Sequence, residues 1–171
     1  NIRATNHMFE RAVSSYTGNL ADIKKELAEG HFFRAYNYFY LLKFFGGVPV
    51  VTKVLDVTSP ELYGKRNSRY EVVDLILSDL DEAIAGLPLE QNITSADKGK
   101  ISKQAAQAFK ARVLLYEATW RKYNGTSTDF EGSAGPASDQ VNTFLEESVQ
   151  LSETVMGDAA YSLWNYNNVA A

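Results

Sequence analysis

Apolar positions recur at three- and four-residue spacing in five stretches of the chain, which is the period of an amphipathic helix. The first stretch, Ile2 to Tyr16, places Ile2, Thr5, Met8, Phe9, Ala12, Val13 and Tyr16 on one stripe and ends at Gly18-Asn19. The second, Leu20 to Phe45, is the longest, and Gly46-Gly47-Val48-Pro49 stops it, because glycine and proline do not propagate a helix. Val48 to Val57 then reads as extended. A third helix opens on Ser68-x-x-Glu71, a capping-box pattern, and runs to Leu87 with Val72, Val73, Ile76, Leu80, Ala83, Ile84 and Leu87 facing inward. The fourth, Ser102 to Tyr123, carries Ala105, Ala106, Phe109, Val113, Tyr116 and Trp120 on one face. The fifth, Ser138 to Met156, carries Val141, Leu145, Val149, Ser152 and Met156. Between these two, the Gly-, Ser- and Thr-rich run Asn124 to Ala137 reads as a mobile loop, and the tail Tyr161-Ser162-Leu163-Trp164 reads as packed on the helices.

Helix starts near 2, 20, 68, 102 and 138 share no single period, whereas a strict tetratricopeptide array repeats about every 34 residues. The expected fold is all-α: tetratricopeptide-like antiparallel helix pairs in an irregular α-solenoid stack, with long loops, forming one helical segment over residues 1–171. The second helix is the expected centre of that stack. The window from His31 to Phe45 holds eight of the chain's 21 aromatics, and only a narrow strip through Glu26, Gly30, Arg34 and Asn37 is polar or small. A helix apolar on nearly every side is expected to be buried on most of them.

Charge suggests which helices meet. Tyr70 to Asp97 holds seven acids and no Lys or Arg, while Lys98 to Arg112 holds five cations and no acid. The third and fourth helices are thus expected either to attract across their flanks or to present two solvated faces, and Lys103, near a helix start, to need a partner. The whole chain has a net charge of −4 and no aromatic platform among those cations, which argues against nucleic acid as a partner.

Composition removes most chemistry. No cysteine is present, so disulfide scaffolds, thiol catalysis and Cys-ligated zinc are excluded. His7 and His31 are the only histidines and neither has a carboxylate at metal-ligand spacing; His31 reads as a helix-surface or interhelical residue. Asp79, Asp81 and Glu82 read as solvated on the polar side of their helix. Asn92-Ile93-Thr94 and Asn124-Gly125-Thr126 match a sequon pattern that chance produces often. Neither a nucleophile elbow nor a phosphate-binding glycine loop occurs, so no catalytic residue, metal site or cofactor is expected. Rings at helix ends are the remaining candidates for stacking on a sugar. These are Trp120, Tyr123 and Trp164, each of which reads first as a packing residue.

One run carries a family resemblance. Arg34-Ala35-Tyr36-Asn37-Tyr38-Phe39, then Leu41-Leu42 and Phe44-Phe45-Gly46-Gly47-Val48-Pro49-Val50, resembles the signature of the SusD/RagB family. Asp79-Leu80-Asp81-Glu82-Ala83-Ile84 with Leu87-Pro88, the block from Lys100 to Tyr116, Glu117 to Tyr123, and Tyr161-x-Leu163 agree with that family in order. The resemblance implies a helical scaffold from a nutrient-binding lipoprotein of the Bacteroidetes, non-catalytic and lipid-anchored on the outer face of the outer membrane. It implies a glycan or oligosaccharide ligand and a SusC-like TonB-dependent transporter as partner, and it supplies no ligand residues. Members are several-fold longer and begin with a lipidated cysteine, so the chain is expected to be an internal piece of such a protein. The competing expectation is a soluble tetratricopeptide-like adaptor that binds peptides in a concave groove.

Overall fold

In the computed structural model, which describes residues 2–126, 135–136 and 138–163, five α-helices follow one another: α1 (Ile2–Ser14), α2 (Lys24–Phe45), α3 (Arg69–Gly86), α4 (Lys103–Asn124) and α5 (Val141–Met156). Short 3-10 turns fill parts of the connections, and no strand occurs among the described residues. The fold is all-α.

Local chemistry fixes the helix ends. The Ser68 hydroxyl accepts from the Glu71 amide (3.2 Å) while the Glu71 carboxylate accepts from the Ser68 amide (2.7 Å), so the expected capping box starts α3. Ser102 caps α4 with its hydroxyl alone, which accepts from the Ala105 amide (3.2 Å). Gly46 closes α2 at φ 66°, ψ −123°, a conformation that only glycine adopts without strain. A 3-10 turn, Leu20–Ile23, precedes α2, and its Asn19 cap replaces the helical start expected at Leu20.

Each helix packs on the next in sequence, most extensively α2 on α3 and α4 on α5. The order of touching partners makes these neighbours antiparallel: Asn6 meets Arg34 while Phe9 meets His31, Arg34 meets Asp79 while Ala28 meets Gly86, Arg69 meets Glu117 while Asp81 meets Lys110, and Arg121 meets Gln140 while Ala111 meets Ser148. Between α2 and α3 the core is Ala28, Phe32, Ala35, Phe39 and Leu42 against Val72, Val73, Ile76, Leu80 and Ala83. The two helices also approach closely at Gly86, where an added Cβ would lie 2.6 Å from Ala28 Cβ and 3.2 Å from the Lys24 carbonyl oxygen.

Four expectations change. Phe33, Tyr36, Tyr40, Phe44 and Phe45 are exposed, so α2 is not buried on most sides; it has α1, α3 and part of α4 as neighbours, and its remaining face meets none of them. Asp79 is buried rather than solvated, because α2 sets a guanidinium opposite it. In α5 the inward residues are Phe144 and Ser148, while Val149 and Met156 are exposed; Ser148 lies where the helices approach closely, and its hydroxyl donates to the Ala111 carbonyl (2.9 Å). Leu163 is 98% exposed, so the described part of the tail does not pack as expected. Trp164 and residues 127–134 of the expected mobile loop lie outside the described residues.

The two charge tracts do meet. Lys110 bridges Asp81 on α3 (2.6 Å) and Glu147 on α5 (2.5 Å). Burial pushes its amine down, but the two carboxylates outweigh that and raise its pKa. Among the described residues Lys103 forms no ion pair with its side chain; its amide donates to the Pro88 carbonyl (2.7 Å).

Candidate functional site

Two polar residues of the signature run, Arg34 and Tyr38, anchor α2 to its neighbours. Arg34 is the one guanidinium on the inner side of an aromatic helix, and an unpaired charge there would be costly. Its Nε and Nη2 donate to the two oxygens of Asp79 (2.7 Å each), and Nη1 donates to Asn6 Oδ1 (3.1 Å). His31 Nδ1 donates to the same carboxylate (2.7 Å), and the Phe9 ring covers both His31 (4.4 Å) and the Arg34 guanidinium (4.8 Å). Burial pushes the Asp79 carboxyl up, yet the hydrogen bonds from Arg34 and His31 outweigh it, and its pKa is lowered. Both oxygens accept from the Arg34 guanidinium, so Asp79 is not placed to abstract a proton from a substrate.

Tyr38 and Asn6 hold the segment after α2. The Tyr38 hydroxyl accepts from the Val51 amide (2.7 Å) and donates to the Val51 carbonyl (3.2 Å), and Asn6 Nδ2 donates to the carbonyls of Val51 (2.8 Å) and Lys53 (3.2 Å). The Asn67 side chain accepts from the Val50 amide (2.8 Å). The Val48 to Val57 stretch, expected to be extended, forms no strand: it bends at Lys53, enters a turn at Val57, and is held by these side chains and by the Asn67 amide on the Val48 carbonyl (3.2 Å).

A second buried ion cluster ties α3 to α4. Glu117 accepts from Arg69 Nε and Nη2 (2.9 and 2.7 Å) and from Arg121 Nε (2.9 Å), with all three side chains buried. The Arg69 guanidinium lies 4.0 Å from the centre of the Trp120 ring, and Arg121 lies over Phe144 (4.8 Å). Trp120 is therefore half-buried with one side of its indole used by Arg69.

Two of the three ring candidates come together on α4. Trp120 and Tyr123 line a shallow groove of about 470 Å³ with Arg112, Leu115, Tyr116, Thr119 and Asn124, at positions that share one helix face. Tyr123 is 77% exposed. Leu115 and Thr119 were not among the expected site residues; the signal for them is spacing, since they sit eight and four positions before Tyr123 on the same face. A larger hollow of about 750 Å³ lies between α1 and the segment 51–62, lined by residues such as Arg3, Val51, Lys53, Leu55 and Leu62. It contains no ring, and so offers nothing to stack on a pyranose. The α4 groove has both rings and hydrogen-bonding side chains, which is the combination a sugar needs.

Among the described residues no group of three or more His, Asp and Glu side chains is arranged to hold a metal ion. No helix among them is long and apolar enough to cross a membrane.

Comparison with known proteins gives one consistent result. Residues 1–115 match the model of a SusD-like family described as "Starch-binding associating with outer membrane". A SusD-like protein of Formosa agariphila is 35% identical over 108 residues, which is 63% of this chain and 20% of that protein. A solved SusD-like protein of Bacteroides fragilis superposes with a TM-score of 0.68 at 28% identity, over 95% of this chain and 26% of the other. A second Bacteroides fragilis structure, described as a SusD-like carbohydrate binding protein, gives a TM-score of 0.61 at 28% identity, over 73% and 23%. The chain therefore spans about a fifth to a quarter of the length of these relatives.

Proposed function

The chain belongs to the SusD-like family, and from that membership we propose that it is a stretch of the helical scaffold of a non-catalytic glycan-binding protein associated with the bacterial outer membrane. The observation that carries this reading is the family match over residues 1–115, which takes in α1, α2, α3 and half of α4. The relative described as carbohydrate binding supports the ligand class. Lipid anchoring at the cell surface and work beside a SusC-like TonB-dependent transporter are the finer parts of the proposal.

In this reading the helices act as a rigid mount. Arg34–Asp79 and Arg69–Glu117–Arg121 lock consecutive helices together, and Tyr38 with Asn6 fixes the segment that follows α2. On this mount the α4 groove is the candidate contact for a sugar. Tyr123 offers the ring face away from Lys122, Trp120 offers the indole face not used by Arg69, and Thr119 and Asn124 supply a hydroxyl and an amide. Each such hydrogen bond contributes about 1 kcal/mol net, so capture rests on several weak contacts together. Trp164 keeps its place as a third candidate ring outside the described residues.

The test is retention of the full-length protein on gels containing starch or other polysaccharides, with Tyr123→Ala and Trp120→Ala compared with the parent. Retarded migration of the parent on at least one glycan, weakened by Tyr123→Ala, is the expected result. Retention of the parent that neither variant changes would remove the α4 groove as the contact. Absence of retention across the panel would remove glycan binding itself. Co-purification of a TonB-dependent barrel with the native protein tests the partner separately.

A further inference from the structure

The α4 groove carries a charge that stacking on a sugar does not use. Its residues include one arginine, Arg112, and no carboxylate, although the chain as a whole holds 21 acids against 17 bases. Helix α4 has five cations and a single acid, Glu117, and that acid is fully buried and spent on Arg69 and Arg121. Lys110 is spent in turn on Asp81 and Glu147. Arg112 differs from these cations: it is exposed, and among the described residues it forms no ion pair.

The hydrogen-bond donors of the groove point the same way. The Thr119 hydroxyl donates to the Leu115 carbonyl (2.7 Å), and the Asn124 amide donates to the Trp120 carbonyl (2.8 Å). The helix backbone therefore already takes the Thr119 hydrogen and one of the Asn124 hydrogens. What remains for a ligand is chiefly the Arg112 guanidinium, whose N–H groups have no partner among the described residues. Its planar fork matches two oxygens of a carboxylate or of a sulfate ester. Arg112 precedes Trp120 by eight residues and Tyr123 by eleven, which sets it about 12 and about 16 Å from them along the helix axis. A single sugar stacked on either ring does not reach so far, so the acid belongs to a neighbouring sugar of the same chain.

We infer that the α4 groove takes an acidic glycan, with Arg112 pairing with the carboxylate or sulfate of one sugar while Trp120 and Tyr123 stack on another. This ligand class presupposes glycan binding in the groove and narrows it, because a neutral polysaccharide leaves the guanidinium without a counter-charge. Lys122, 5.9 Å from the centre of the Tyr123 ring, adds positive charge at the other end.

Affinity electrophoresis of the full-length protein on matched polymers tests this. Polygalacturonate is paired with its methyl ester, and dextran sulfate with dextran, so that each pair shares a backbone and the two pairs separate a carboxylate from a sulfate. The expected result is retention about tenfold stronger on the charged member of at least one pair. That preference should disappear in Arg112→Gln, persist in part in Arg112→Lys, and weaken with added salt. Arg112 is exposed, so Arg112→Gln should melt with the parent, and Lys65→Gln, an exposed cation outside the groove, should keep the preference. Equal retention on both members of each pair, or retention on neutral polymers alone, would overturn the inference and leave glycan binding standing. An acidic preference that Arg112→Gln leaves intact would also overturn it, as would one that Lys65→Gln reduces equally, which would assign the effect to diffuse charge. Absence of retention on every polymer, starch included, would remove glycan binding itself and this ligand class with it.

Discussion

Along α2, Phe32, Tyr38 and Phe39 are buried against α3 and α4, whereas Phe33, Tyr36 and Tyr40, one or two residues away, stand exposed. Residue type does not separate the two sides. What separates them is the company of polar groups: the inner side also holds Arg34, whose donors meet Asp79 and Asn6, and the Tyr38 hydroxyl, which closes on Val51. The outer rings have bulk but no such matched partners among the described residues. Buried polar pairs add little net energy, yet each is costly to leave half made. The inner side is therefore specific for one neighbour, while the outer side would accept many.

Removing one half of the buried pair should break this contrast most strongly. Arg34→Met leaves Asp79 buried beside His31 alone, and about 3–5 kcal/mol of stability should be lost in denaturant unfolding of the full-length protein. The double change Arg34→Met with Asp79→Leu should recover most of that loss; failure to recover it would mean that the pair is not the cause. Gly86→Ala should cost about 1–3 kcal/mol by the same measurement, since its methyl group has no room between Ala28 and the Lys24 carbonyl.

The pH response sharpens the same point. Asp79 has a lowered pKa in the folded chain, so the unfolded chain takes up its proton first as the medium turns acid. Its contribution is fully present above the ordinary carboxyl value of about 3.9 and is lost as pH falls through the lower folded value. A plot of stability against pH should accordingly be flatter on the acid side for Asp79→Asn than for the parent, and parallel plots would contradict the assignment.

The smallest effects set the two sides of α2 directly against each other. Tyr38→Phe should cost about 1 kcal/mol and speed exchange of the Val51 amide. Tyr40→Ser, measured in the 171-residue chain, should stay within about 0.5 kcal/mol of the parent, as exposed substitutions do.

Helix content was readable from the chain because α3 and α4 announce their starts with Ser68 and Ser102, and α2 announces its end with Gly46. Depth was harder to read. Asp79 sits beside Asp81 and Glu82, and nothing local distinguishes it; its partner Arg34 lies 45 residues away. The hint was on the other helix, where a lone arginine among inward rings needed an anion. For α2 the helical period shows which residues share a side but not whether a neighbour covers it, and so Phe33 and Phe44 were expected inside. In α5 the buried line runs through Ser148, a polar residue chosen for its small size, while the apolar Val149 and Met156 face outward. Two of the three ring candidates, Trp120 and Tyr123, do share one groove, but the use of one indole face by Arg69 depends on packing between α3 and α4 that spacing cannot show.

The attachment of Asn6 to Val51 and Lys53 has a consequence for the order of assembly. Those carbonyls belong to the segment that the Tyr38 hydroxyl of α2 holds at Val51. The Asn6 amide thus waits for groups that are translated about 45 residues later, and must span that loop before it gains anything. During synthesis α1 precedes the cradle that seats it, so it should dock late, as a latch on a pair of helices already joined.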